Sequence, residues 1–234
     1  MPENIHLMKR YFIFTIIFVI ASAIAGFGQG NSPIAPAEPP KAPEKANRRP
    51  TVEAAAAEPY DKADVKTMAA LCVSLDTEAG LITAELYPEQ APETVRNFLN
   101  LAATGLFDTT TFSRVVPNFV IQGGDLYSRD GKVSYEIGMR ARRTIPDEPN
   151  QILHTRGILS MARPDEPNGA TTNFFILVAE APYLDSKFAA FGRVVTGMDV
   201  VDAVNQAKVE NEKPEKPVRI NKASVATCTA KTAQ

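Results

Sequence analysis

Between Ala69 and Thr229 the apolar residues come in runs too short for packed helices and too regular for loops, and this pattern constrains the fold most. The runs are Ala69–Asp76, Leu81–Tyr87, Thr111–Val115, Phe119–Gln122, Gly157–Ala162, Phe174–Val178, Ala189–Val195 and Arg219–Thr229. Each reads as a strand, and Thr77-Glu-Ala-Gly80 between the first two reads as a hairpin turn. Only two stretches carry a helical period. Ala91-Pro92-Glu93 opens one, with proline suited to a first turn and a carboxylate at the positive end of the dipole. Val95, Phe98, Leu99 and Ala102 then form a single buried stripe that Gly105 ends. The other runs from Met198 to Gln206, with Met198, Val201 and Val204 on one side. Seven or eight short strands and two helices predict an α+β domain, mainly β: a closed antiparallel barrel capped by helices.

The chain upstream has a different texture. Lys9-Arg10 precedes an uncharged apolar run from Tyr11 to Ala25, with small residues at Ala21-Ser22-Ala23 and Ala23-Ile24-Ala25. That is the pattern of a secretory signal peptide, expected over residues 1–28; an uncleaved anchor is the alternative, although the run is short for a membrane span. Residues 29–66 hold seven prolines among Ala, Glu and Lys, a composition that gives extended, solvated chain and predicts a disordered linker. The folded domain is then expected over 67–234. The formal net charge of −2 gives no basic face for nucleic acid, so none is expected as a partner. The chain has two histidines, His6 and His154; the folded domain thus holds only His154, which argues against a metal site. Arg140-Ala-Arg-Arg143 reads as a solvated basic loop.

Cys72 lies in the first strand run and Cys228 in the last. In an exported protein such a pair is a disulfide candidate, provided that barrel closure makes those strands neighbours; two buried free thiols are the alternative.

Two segments stand out chemically. Phe112-Ser-Arg-Val-Val-Pro-Asn-Phe-Val-Ile-Gln-Gly-Gly-Asp125 places an arginine and a glutamine among apolar strand residues, before a glycine pair. Gly157-Ile-Leu-Ser-Met-Ala-Arg-Pro is followed, after a loop, by Thr172-Asn-Phe-Phe-Ile176. With Ile145-Pro-Asp-Glu-Pro-Asn150, His154-Thr-Arg-Gly157, Tyr183-Leu-Asp-Ser-Lys-Phe188 and Phe191-Gly-Arg-Val-Val-Thr-Gly-Met-Asp-Val-Val-Asp202, these stretches resemble the cyclophilins, a family of peptidyl-prolyl cis–trans isomerases. The likeness covers Ala69 to Cys228 and looks closest to the exported bacterial branch. It implies an eight-stranded antiparallel barrel closed by two helices, no cofactor, and proline-containing segments of exported proteins as partners. The expected location is the periplasm, or the membrane if the N-terminal segment stays attached, and a monomer is expected. Carried over by position, the catalytic arginine falls on Arg114, with Gln122 beside it. The proline pocket falls on Phe119, Val120, Phe175 and Leu184, and the strand that pairs with substrate backbone on Ala162 and Arg163. Asn173, Tyr183 and Phe188 complete the substrate-binding set. Asn173 stands where glutamine is usual, Tyr183 where cyclosporin-sensitive members have tryptophan, and Phe188 where eukaryotic members often have histidine. Val120 stands where methionine is common, Ser113 where histidine commonly precedes the arginine, and Arg163 where asparagine is frequent.

The chemistry accounts for such a set. An X–Pro bond prefers trans by only about 0.5–1 kcal/mol, yet the barrier to rotation is about 20 kcal/mol because conjugation must be broken. In the planar amide the nitrogen lone pair is a poor acceptor; in the twisted state it is free. A guanidinium N–H aimed at that nitrogen therefore binds the transition state better than the substrate. Arginine stays protonated and offers a stiff fork of donors. An apolar pocket for the proline ring supplies position and excludes water. A proline-peptide binding module or holdase, with incidental catalysis, is the alternative. A serine hydrolase using His154 with Ser113 or Ser160 lacks the G-x-S-x-G elbow.

Overall fold

The computed structural model describes residues 57–228; the expected signal segment and most of the expected linker lie outside them. Ten strands and four α-helices are found among the described residues. In chain order they are α1 (Val65–Ala69), β1 (Leu71–Thr77), β2 (Gly80–Leu86), α2 (Pro92–Ala103), β3 (Arg114–Val116), β4 (Val120–Gly123) and α3 (Tyr135–Ala141). There follow β5 (Ile158–Met161), β6 (Phe174–Leu177), β7 (Ala190–Thr196), α4 (Met198–Asn205), β8 (Val209–Glu210), β9 (Lys213–Pro214) and β10 (Ile220–Thr227). The two long helices are those the sequence predicts; α1 and α3 are short additions that its period does not reveal.

Eight strands form one antiparallel sheet in the order β10-β1-β2-β7-β5-β6-β4-β3. It is an open half-barrel, which corrects the expectation of a closed one. The terminal strands β3 and β10 share no ladder. Between their neighbourhoods there is the single bridge Thr111–Arg219 and a few backbone bonds such as Phe112 N–H to the Val218 carbonyl. The edge of β3 is met instead by the β8–β9 hairpin, through the Val115 amide and the Glu212 carbonyl. Pro214 and Pro217, just before β10, have no amide proton with which to extend a ladder.

The strand period places consecutive residues on opposite faces, and β6, buried along its whole length, uses both. Phe174 faces the main core, where the Phe98 ring of α2 sits 5.2, 5.1 and 5.0 Å from those of Phe107, Phe174 and Phe191. Phe175 faces a second, smaller cluster with Val120, Ile158, Leu177 and Leu184. Helix α2 buries Val95, Phe98, Leu99 and Ala102, as its stripe predicts. Its N-cap, Ala91, has no side-chain oxygen; the Glu148 carboxylate accepts from the Glu93 and Thr94 amides instead.

β1 and β10 are lateral neighbours, and Cys72 and Cys228 form a disulfide with their Cα atoms 4.9 Å apart. The adjacency comes from strand order and needs no closure. The boundary expected at residue 67 falls inside folded chain: Asn100 binds the Tyr60 amide and the Asp61 carboxylate, and Arg96 donates to the carbonyls of Tyr60 and Ala63. Arg140 is likewise not a solvated loop residue. It lies in α3, is nearly buried, and together with Arg143 pairs with Glu58 at 2.6 and 3.1 Å.

Candidate active site

The β3–β4 hairpin sets the site. Arg114 pairs with Gln122 across it, and Gln122 pairs with Phe175 on β6. This row across three strands places a guanidinium, an amide and a ring on one face. Ile121 and Gly123, the alternate residues of β4, face the main core. Gly124 follows with φ +88°, and a Cβ there would collide with the Thr172 carbonyl, so the pair that looked odd in sequence lets two chain segments touch.

The row borders a cleft of about 190 Å³. Arg114 and Gln122 form its polar side; Phe119, Val120, Phe175 and Leu184 its apolar floor and walls; Ala162, Arg163 and Phe188 its far rim. That size suits a side chain more than a large ligand. Phe175 and Phe188 meet edge to face at 6.1 Å, and the Arg163 guanidinium lies 5.1 Å from the Phe188 ring.

Two of the expected substrate-binding residues lie elsewhere. Asn173 lines a neighbouring cavity of about 430 Å³ with Ser113 and Asp125, sharing Gln122, Ala162 and Arg163 with the cleft. Tyr183 is 59% exposed and stacks outside against Phe119, ring centroids 5.8 Å apart. The Ala162 amide is already spent on the Asn173 carbonyl at 3.0 Å.

Arg114 is held from two sides. Nη1 donates to Gln122 Oε1 at 3.1 Å, and Nε donates to Glu212 Oε2 at 2.7 Å. Nη2 makes no hydrogen bond among the described residues. Glu212 was not visible as a site residue, because it lies 98 positions from Arg114. Asn205 was missed too. Its Nδ2 donates to the carbonyls of Val116 and Val120 at 2.9 and 3.1 Å, and its Oδ1 accepts from the Asn118 amide at 2.9 Å. It ties down the turn that carries Phe119.

His154 has the partners of a hydrolase triad without the access. Its Nδ1 lies 3.0 Å from Asp185 Oδ1 and its Nε2 3.0 Å from Ser160 Oγ. Ser160 is fully buried, and its hydroxyl donates to the Ala189 carbonyl. Burial holds the imidazole below its ordinary pKa, against the pull of Asp185. The His154 amide, at 2.7 Å, in turn holds the Asp185 carboxyl low. The network fastens the turn that carries Leu184.

A model of the family "Cyclophilin type peptidyl-prolyl cis-trans isomerase/CLD" matches residues 72–225. Peptidyl-prolyl cis-trans isomerase A of Dickeya dadantii is 36% identical over 167 residues, spanning 65% of this chain and 83% of its own. Peptidyl-prolyl cis-trans isomerase ppi1 of Schizosaccharomyces pombe is 41% identical over 154 residues, 64% and 96% of the two chains. The crystal structure of a Cryptosporidium parvum cyclophilin type isomerase, in the presence of the dipeptide Ala-Pro, superposes with a TM-score of 0.59 at 28% identity, covering 67% of this chain and 99% of that one. These relatives span bacteria and eukaryotes, so the likeness carries the family and no particular branch of it. With its cleft, its sheet and this match across the folded domain, the chain belongs to the cyclophilin-type peptidyl-prolyl cis–trans isomerases.

Proposed function

We propose that this isomerase speeds X–Pro rotation in exported proteins as they fold, with Arg114 as the catalytic donor. One observation carries the assignment: the Arg114 guanidinium borders the Phe119–Phe175 cleft, tethered through Nε and Nη1, with Nη2 unspent. The proline ring enters the apolar cleft. As the amide twists, its nitrogen becomes pyramidal and accepts from the guanidinium. Because that bond forms only in the twisted state, it lowers the barrier without tightening substrate binding. Gln122 supports the arginine, and Phe188 with Arg163 shapes the rim.

An exported, periplasmic setting, and with it the exported bacterial branch, is supported by the signal-like N-terminus and by the Cys72–Cys228 disulfide, since such bonds persist in oxidising compartments. Membrane attachment through an uncleaved N-terminus is the variant of this reading. N-terminal sequencing of the fractionated protein separates the two, and recovery of full-length protein in the cytosol would refute both.

Isomerisation of a proline peptide by wild type and Arg114→Ala tests the chemistry. The variant is expected to lose at least tenfold in kcat/KM, about 1.4 kcal/mol of transition-state stabilisation. Equal rates would leave a binding module or holdase.

A further inference from the structure

β8 and β9 are joined by two residues, Asn211 and Glu212, both with left-handed backbone at φ 49° and 65°. A two-residue turn of that hand matches the twist of antiparallel strands, and it favours Asn first and Gly second. Asn211 follows the preference. Glu212 departs from it, because a Cβ is strained at positive φ.

The strained residue is also the one that reaches Arg114. Its Oε2 accepts from Nε at 2.7 Å, while its main-chain carbonyl accepts from the Val115 amide at 2.9 Å, so the turn is docked on β3 beside its target. Stability does not explain the arrangement. The two side chains are 40% and 50% exposed, and ion pairs of that kind add little. The contact does constrain orientation. A guanidinium is a rigid plane, and one anchor, Nη1 on Gln122, would let it pivot. A second anchor on Nε, from a different element, removes that freedom and leaves Nη2 as the donor not engaged by the protein.

We infer that Glu212 is a positioning residue for isomerisation, holding the Arg114 plane so that Nη2 stays presented to the cleft. The inference rests on Arg114 being the catalytic donor. Glu212 does not line the cleft, so its effect falls on turnover and spares peptide binding.

The test uses Glu212→Gly, Glu212→Gln, Arg114→Ala and the double variant Arg114→Ala/Glu212→Gly. Each is read by proline-peptide isomerisation, by peptide Kd from calorimetry, and by thermal melting. Glu212→Gly is expected to melt higher by a few degrees, because glycine relieves the left-handed strain. It is expected to bind peptide within about twofold of wild type, yet turn over about tenfold more slowly. Glu212→Gln, which keeps an acceptor at the same reach, is expected to lose only about two- to threefold. In the Arg114→Ala background Glu212→Gly should cost nothing further. Wild-type turnover by Glu212→Gly, or an equal fractional loss in both backgrounds, overturns the positioning role and leaves the assignment of Arg114 standing. Wild-type turnover by Arg114→Ala removes both.

Discussion

Replacing Asn205 by leucine keeps roughly the shape of the last residue of α4 and deletes its amide. Three backbone groups of the β3–β4 turn lose a hydrogen bond, the carbonyls of Val116 and Val120 and the amide of Asn118, although the Val116 carbonyl keeps the Phe119 amide at 3.1 Å. Asn118 itself sits at φ 59°, and Asn205 adds to a turn that closes on that one bond of its own. A net bond is worth about 1 kcal/mol, and a buried group left unpaired costs about 1–3 kcal/mol. The bond to Val120 is fully buried; the other two are partly so, and water can replace them. The expected loss is therefore about 2–4 kcal/mol, since only one of the three groups bears the full desolvation cost. For a domain of this size that lowers Tm by about 4–16 °C. Turnover should fall as well, since the freed turn carries Phe119 and leads into Val120, two walls of the cleft. Thermal melting and proline-peptide isomerisation, the latter at a temperature where the variant is fully folded, read both effects. Asn205→Asp, which turns an oxygen towards two carbonyls, should be no better than leucine. A leucine variant that melts within about 1 °C of wild type and turns over normally would refute the reasoning, by showing that the turn holds itself.

Arg114→Lys keeps the charge, but one ammonium cannot span Gln122 and Glu212 and still offer a donor to the cleft; kcat should fall about tenfold or more in the peptide assay. Phe119→Ala removes a half-exposed wall, so KM should rise several-fold while the melting temperature hardly moves. Cys72→Ser with Cys228→Ser should cost about 2–4 kcal/mol in urea unfolding, with isomerisation at 25 °C unchanged, because β1 and the end of β10 do not line the cleft. His154 contributes a pH dependence of fixed sign. Its folded pKa lies below the ordinary 6.5, so its contribution to stability is complete above that value. As pH falls through 6.5 towards the folded pKa, the unfolded chain takes up the proton first and stability drops. Denaturation midpoints compared at neutral pH and below pH 6 should show this drop in wild type and not in His154→Gln.

The periodic features of the fold were legible in advance. The strand runs, the α2 stripe and the hairpin at Thr77–Gly80 all follow from which residues can share a face. The candidate site was legible only through the family resemblance, which placed Arg114, Gln122 and Phe175 by position; the register of their strands brings the three into one row. Tyr183 and Asn173 were placed in the same way; Tyr183 packs on Phe119 outside the cleft, and Asn173 lines the adjoining cavity. The closed barrel failed because strand count does not say whether the last edge finds a partner.

By itself the sequence determined the eight strands of the main sheet and the two longer helices, the apolar faces, the arginine set among strand residues, and a cysteine pair able to bridge. Those are local matters, settled by residue type and period. The tertiary structure alone decided that β3 ends against a hairpin, that Glu58 pins Arg140 from 82 residues away, and that Glu212 grips Arg114 from 98 away. Such anchors join loops and helix ends that share no period, so only the course of the folded chain brings the donor to its acceptor.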